Sequence, residues 1–504
     1  MTPTIYLNKL SACFSVSPLP MLNHFFQQKN MPIIIPAAIF TLLFLAFYPT
    51  FYISIDEHQY IKNAFLIPTG SIITSQPELF CGGNQIGENA WVSSQPIGKS
   101  ITLIPFTFLP FDWIFLSGLL THLLNFALII LILRRMNISQ NWAAVYLFIP
   151  VFQWGSRTIF PELNVLTLFL AAYYFWLDTQ KKYHVLAGFL LGASMVLRYD
   201  AVVGPAAFGL QALFTERKKL LPFVAGLALP LLLLLAFNQF TYGGVLSTGY
   251  GSVAEQTSFP IPDDFVLSAF TYAALLFIAI PFSLFAVGKS EHRILFWSLA
   301  AGTVGVFSYF SPFWHFDFSL PLTFTARLRY FIPVAGLLLV PTLAWYAAQW
   351  KHISSRWTIV TRYSKWVLAG GIIALLIFSA VLHAQHNQLS SSRRDVGNII
   401  HNTIPKGSTV LGSADDCVYF IPSFFGEYYY QKIDANTSMI NLESDTYLLS
   451  ISYFTQQDKN APRQDIIMGE RGLIQKFIKE NSEQLVELVA SNKSANVSIW
   501  RVTK

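Results

Sequence analysis

Apolar runs long enough to cross a bilayer recur along most of this chain, and that recurrence leaves few folds open. A helix needs about 20 apolar residues to cross, because hydrocarbon offers its backbone no other hydrogen-bond partners. Runs near that length stand at 32–52, 113–133, 142–156, 163–178, 185–197, 201–214, 220–237, 269–287, 294–310, 329–349 and 366–384. These eleven predict a mainly α, polytopic transmembrane bundle. Three of them (142–156, 185–197 and 201–214) are short, so ten to twelve spans fit the pattern. Composition agrees: of 504 residues 53% are hydrophobic and 12% charged, with a mean hydropathy of +0.47, where a soluble domain is about a quarter charged. The first run is too long for a signal-peptide core and lacks a small-residue cleavage site. It is expected to be retained behind a cytoplasmic segment, 1–30.

Short loops rich in Lys and Arg stay on the cytoplasmic side. With the N-terminus inside, the inside loops hold Arg134 and Arg135, Lys181 and Lys182, Arg217 to Lys219, Lys289 and Arg293, then Lys351, Arg356, Arg362 and Lys365. The longer outside segments hold only Lys62, Lys99, Arg157, Arg198, Arg327 and Arg329. The reading is a multi-pass protein of a bacterial inner membrane in contact with membrane lipids. Its first outside loop is 53–112, and apolar patches at 60–68 and 101–110 lie along the surface.

Past residue 384 ordinary charge returns and no span follows. Helical patterns at 395–404 and 472–482, with strand patterns at 408–413, 446–454, 485–490 and 497–502, predict an extracytoplasmic α/β accessory domain over 385–504. The formal charge of +6 is scattered in short loops and indicates no nucleic acid. Cys13, Cys81 and Cys417 have no metal spacing; Cys81 and Cys417 are a candidate pair if they share an oxidising compartment. Phosphate loops, dinucleotide fingerprints, HExxH and CxxC are absent.

The residues with chemistry gather on the outside: Asp56, Glu57, His58, Glu78, Glu88, Arg157, Glu162, His315, Asp317, Arg327 and Arg329. The expected mid-span positions are nearly free of charge, which argues against passage through the membrane. Adjacent carboxylates raise one another's pKa and suit a base. Arginines fixed at a surface suit a phosphate. Base and phosphate clamp beside lipid point to transfer of a group from a lipid-phosphate carrier. Other readings stay open residue by residue. Glu162 after Pro161 equally suits a helix N-terminus, Arg327 and Arg329 equally suit snorkelling, and Asp263-Asp264 reads as a helix cap. His58 and His315 lack a ligand cluster; no cofactor is required by the sequence, and a divalent cation is left open.

The chain resembles the GT-C superfamily of membrane glycosyltransferases, in the branch of protein O-mannosyltransferases and the aminoarabinose transferase of lipid A. The likeness is carried by SIDEHQY at 54–60, QPIGKSITLIPFTFL at 95–109, RTIFPE at 157–162, LGASMVLRY at 191–199, the Asn238–Ser252 loop and Arg329-Tyr330-Phe331-Ile332-Pro333. It covers about residues 30–350, and order rather than any single motif carries it. The resemblance implies inverting transfer of a hexose or pentose from a polyprenyl-phosphate-linked sugar donor to a lipid, glycan or protein acceptor. Asp56 is then the base, with Glu57 and Glu162 beside it. Candidate substrate-binding groups are His58, Tyr60, Lys99, Arg157, Arg327, Arg329 and Tyr330. The chain departs from the pattern at Glu162, where several members have Asp, and at WHFD in 314–317. The alternatives are a lipid-linked glycan polymerase or ligase, a transporter-like lipid handler, or a sensory protein acting through its C-terminal domain. Polymerases and ligases usually place their charged loop late in the chain; here it comes first.

The charge bias makes a direct prediction. Alkaline phosphatase fused after Lys504 should be active and a fusion at Lys218 inactive; the reverse pattern would overturn the orientation.

Overall fold

A computed structural model describes residues 31–74, 83–88, 90–252, 265–310, 328–356, 358–413, 416–419, 429–432, 445–451, 464–489 and 497–503. Glu78, Cys81, Asp263, Asp264, His315, Asp317 and Arg327 lie outside them, as do the first 30 residues and Cys13.

Every one of the eleven apolar runs is helical. Helix α1 (Met31–Ala46) is followed by α2 (Ile55–Leu66) and α3 (Ile97–Thr107), which fall on the two patches expected at the surface. Then come α4 (Leu116–Arg135), α5 (Ala144–Phe148), α6 (Pro150–Ser156), α7 (Glu162–Trp176), α8 (Lys181–Leu197), α9 (Val203–Thr215) and α10 (Arg217–Tyr242). The second half holds α11 (Phe265–Ala279), α12 (Ser283–Gly288), α13 (Arg293–Phe310), α14 (Ile332–Arg356) and α15 (Thr358–Thr403). Among the described residues five helices are long and apolar enough to cross a membrane: Phe111–Arg135, Arg217–Tyr242, Arg293–Phe310, Leu328–Ile353 and Gly370–Thr403. The others are shorter, and two of the runs are broken. The run 142–156 bends at Ile149-Pro150, since proline disfavours helical geometry in the residue before it, and Ile149 is extended. The run 269–287 bends after Pro281, where Phe282 has a φ of +63°.

Helices that face lipid have no hydrophobic drive to pair and instead pack through small residues. The α8–α10 contact shows this. A Cβ on Gly188 would stand 2.0 Å from the Phe223 carbonyl oxygen, and one on Gly226 would stand 1.9 Å from that of Val185. The outer faces carry exposed apolar side chains, such as Leu42 on α1 and Leu221, Leu232 and Phe240 on α10.

Helix α15 runs unbroken across residue 384, where the composition changes. Its first half is apolar, and a buried polar stripe (Ser379, His383, His386, Ser390) then packs it against the bundle. Ser379 donates to Gln153 Oε1 at 2.8 Å. Higher up, Arg394 grips Asp112 at 2.9 and 3.2 Å, and Tyr48 donates to the Asp112 carbonyl at 2.6 Å. The segment expected as a separate helix at 395–404 forms its last turns.

Beyond it lie β6 (Thr409–Gly412), β7 (Tyr429–Lys432), β8 (Thr446–Ile451), α16 (Gln464–Glu480), β9 (Leu485–Val489) and β10 (Val497–Val502). They form a five-stranded sheet in the order β7-β6-β8-β10-β9. The pairs β6–β7 and β6–β8 are parallel; β10 is antiparallel to β8 and β9. Alternation along each strand splits the sheet's side chains between two cores. Leu411, Leu448 and Val502 pack on Ile474 and Phe477 of α16. Val410, Leu449 and Ile499 pack with Val396 and Ile400 of α15 and with Tyr60 and Ile61 of α2. The sheet therefore covers the end of the bundle that carries α2. Strand β7, a small sheet in the first loop, β1 (Ile73–Thr74), β2 (Asn84–Gly87) and β3 (Ala90–Val92) in the order β1-β3-β2, and the pair β4 (Ser247–Thr248) and β5 (Gly251–Ser252) after α10 have no clear sequence signal, being two to four residues long.

Because the atoms facing Gly188 and Gly226 are backbone, no rotamer change makes room for a side chain. Gly226→Leu should force α8 and α10 apart at a cost of about 1–3 kcal/mol. A thermal unfolding midpoint in detergent below wild type is the expected result, and an unchanged midpoint would contradict this packing.

Candidate active site

The local sequence Ser54-Ile55-Asp56-Glu57 starts α2 as a capping box. Ser54 is extended and its hydroxyl accepts the Glu57 amide at 3.2 Å. Glu57 reaches back, but past the cap. Its Oε2 accepts the Ile53 amide at 2.8 Å, and its Oε1 accepts the Ile159 amide at 2.7 Å. Ile159 lies in the tight turn between α6 and α7. One buried carboxylate, 1% exposed, thus fastens the start of α2 to the turn that delivers Glu162. Burial pushes the Glu57 carboxyl up to about 7, while the two amides and the charges of Arg329 and Arg393 pull the other way.

Successive side chains on a helix point about 100° apart, so Asp56 faces elsewhere. Its side chain is 38% exposed, and its Oδ2 stands 3.5 Å from Arg329 Nη2. Its Oδ1 accepts Gln95 Nε2 at 3.0 Å. The Asp-Glu pair is therefore divided between an open carboxylate and a buried one whose two oxygens are both taken by backbone amides.

Glu162 opens α7 and is 1% exposed. Its Oε1 accepts from Arg198 and stands 4.0 Å from Arg329 Nε; its Oε2 has no partner among the described residues. Arg198 leaves the end of α8 in an extended conformation and also grips Asp200 with two bonds, of 2.8 and 3.0 Å. The two guanidiniums differ. Arg198 is committed to two carboxylates by hydrogen bonds. Arg329 meets carboxylates only at 3.5 and 4.0 Å, beyond the usual 2.7–2.9 Å or so of a charge-assisted bond. It rests on the Phe160 ring at 4.0 Å and donates to the Tyr330 hydroxyl at 2.8 Å. Beside this cluster a small recess opens between α7, α9, α13 and α14. Arg198, Asp200 and Tyr330 form its polar end, and Phe169, Phe307 and Val334 are among its apolar walls.

The structure thus brings Asp56, Glu162, Arg329 and Tyr330 together, with Glu57 behind them. Lys99 lies close by, on α3. It is buried and donates to Asn164 Oδ1 at 2.8 Å. Burial pulls its ammonium down to about 8 against the charges of Glu162 and Glu57. Tyr60 joins through Gln95, to which it donates at 3.1 Å. Two candidates point elsewhere. His58 Nδ1 pairs with the Tyr52 hydroxyl at 2.9 Å. Arg157 donates to the Phe47 carbonyl and lies 5.7 Å over the Phe44 ring, buried, with Nε and Nη1 unpartnered among the described residues. Among the described residues no group of three or more His, Cys, Asp or Glu side chains is arranged to hold a metal.

Sequence reasoning missed Arg198 and Asp200 as site residues, and Gln95 and Tyr250 as well. Arg198 had a signal: a charge pair, Arg198-Tyr199-Asp200, closes a short apolar run on the outside. Tyr250 had one in the glycine before it. A Cβ on Gly249 would lie 2.1 Å from the Ser94 carbonyl oxygen, so only glycine lets this loop reach Gln95, whose Oε1 accepts from Tyr250 at 2.7 Å.

The state of Glu57 can be read from stability. Between the ordinary 4.5 and about 7, the folded chain holds a proton that the unfolded chain has released. The stabilisation from this group is full below pH 4.5 and is lost as pH rises through about 7. Glu57→Gln removes that slope and sets its NH₂ against one of the two amides, at about 1–3 kcal/mol. Midpoints of thermal unfolding across pH 5–8 should be lower for Glu57→Gln and should lack the part of the wild-type decline that Glu57 causes; superimposable profiles would contradict this.

No protein-family model matches the chain, and no curated protein matches it in sequence. Solved structures do match. ArnT from Cupriavidus metallidurans in the apo state superposes with a TM-score of 0.58 at 11% identity, over 93% of this chain and 97% of that one. The same protein bound to undecaprenyl phosphate gives 0.53 at the same identity and coverage. A likeness that spans nearly the whole of both chains shows that this integral membrane protein has the fold of ArnT, an arrangement of apolar helices.

Proposed function

We propose that this protein is an inverting glycosyltransferase that moves a sugar from a polyprenyl-phosphate carrier to an acceptor on the outer side of a bacterial inner membrane. The observation that carries the reading is the pairing of Asp56 with Arg329. The open carboxylate of the acid pair stands 3.5 Å from the guanidinium with the looser carboxylate contacts, beside a small recess with apolar walls. That ArnT has been solved with undecaprenyl phosphate bound supports the same carrier class here.

In this reading Arg329 takes the phosphate by bidentate hydrogen bonds, and the prenyl tail stays in the lipid. Arg198 is held by Asp200 and Glu162 and adds positive potential. An acceptor hydroxyl attacks the anomeric carbon from the face opposite the phosphate, and Asp56 removes its proton. The bond between the anomeric carbon and the phosphate oxygen breaks, and its electron pair leaves on the lipid phosphate. The growing charge there is stabilised by Arg329. Glu57 holds the frame and touches no substrate. The sheet beyond α15 is an accessory domain over the acceptor side and supplies no catalytic group.

Purified protein in nanodiscs, given a polyprenyl-phosphate sugar and envelope acceptors, should release polyprenyl phosphate. Asp56→Asn should lose about 10²–10⁴ in rate and still bind donor. Arg329→Lys keeps the charge, loses the fork, and should weaken donor use. Wild-type turnover in Asp56→Asn would overturn the assignment of the base. Failure of the wild type on every polyprenyl-phosphate sugar would overturn the function.

A further inference from the structure

We infer that Gln95 is a positioning residue for the base, and that the phenols of Tyr60 and Tyr250 jointly fix which end of its amide faces Asp56; this rests on the reading of Asp56 as the base. The backbone comes first. Asp56, Gln59 and Tyr60 stand at i, i+3 and i+4 and share one face of α2. Gln59 Oε1 accepts from Ser93 Oγ at 2.8 Å, from the Ser94 amide at 2.9 Å and from Ser94 Oγ at 2.9 Å. Ser93 Oγ in turn accepts the Gln95 amide at 3.0 Å. The turn of helix that carries Asp56 therefore also places the Gln95 backbone.

The direction of each side-chain hydrogen bond then follows from chemistry. An ionised carboxylate only accepts, so the end of Gln95 that meets Asp56 Oδ1 at 3.0 Å must be its NH₂. Its carbonyl oxygen then faces Tyr60 at 3.1 Å and Tyr250 at 2.7 Å, and both phenols must donate. Donation runs one way, from the phenols to the amide to the carboxylate. Either phenol alone holds the amide; with both gone, the amide is free to flip and set its oxygen against Asp56. The carboxylate is kept turned with Oδ2 toward Arg329 and the open side, where an acceptor proton would be taken. Tyr250 comes from the distant segment after α10, so that segment bears on the base through Gln95.

In the transfer assay, Gln95→Leu should lower kcat about tenfold or more and leave the donor KM nearly unchanged. Gln95→Glu sets a second carboxylate against the first and should lower kcat at least as far. Tyr60→Phe and Tyr250→Phe, which keep shape, should each lower kcat about threefold or less, and the double variant should fall as far as Gln95→Leu, a non-additive cycle. An unchanged kcat in Gln95→Leu, a donor KM that moves in step with kcat, or additive phenol losses would overturn this inference in an active enzyme. A wild type that transfers nothing would instead overturn the function on which it rests.

Discussion

Two hydrogen bonds to one buried carboxylate hold this site together. Glu57 accepts the amides of Ile53 and Ile159, which stand on separate stretches of chain, one entering α2 and the other leading into α7. Glu57 sits on α2 itself, so fixing it fixes the direction of its neighbour. Asp56 is turned out toward Arg329, and the turn that ends in Pro161 is set so that Phe160 supports that guanidinium and Glu162 lies beneath it. An unsatisfied buried carboxylate costs several kcal/mol. The two amides meet that demand here, and in doing so they occupy both oxygens of a residue whose neighbour is left open for chemistry.

The charges around it are graded in the same way. Arg198 is neutralised by Glu162 and by a two-bond grip on Asp200, which lets it stay buried next to a recess with apolar walls. Arg329 keeps longer contacts with its carboxylates and leans on aromatic faces. A guanidinium held by rings and by distant charges can turn to a phosphate without first breaking a short ion pair. One that is doubly paired cannot.

The sequence made the helices legible because a lipid-facing helix must be apolar along its length while it satisfies its backbone groups within itself. Most strands of the C-terminal sheet were legible by alternation: Val410 against Leu411 and Leu448 against Leu449 send side chains to opposite cores. Strand β7 was not, since its pattern is too short. The boundary drawn by composition at 384 is a change of composition and not a break in the chain, so α15 passes through it. In the site, Asp56 and Glu162 were visible as outside charges, whereas the division of labour between Asp56 and Glu57 depends on which oxygens meet Ile53 and Ile159. Arg157 reads as a surface phosphate ligand by type and position; the fold turns it toward the Phe47 carbonyl instead. Gln95 carries no charge and no motif weight, and only the convergence of α2, α3 and the loop at Tyr250 makes it central.

The most direct test of the account is a structure with a polyprenyl phosphate bound. The phosphate is predicted at the Arg329 guanidinium, facing Asp56. A phosphate seated elsewhere, with Arg329 still resting between Phe160 and Tyr330, would contradict it.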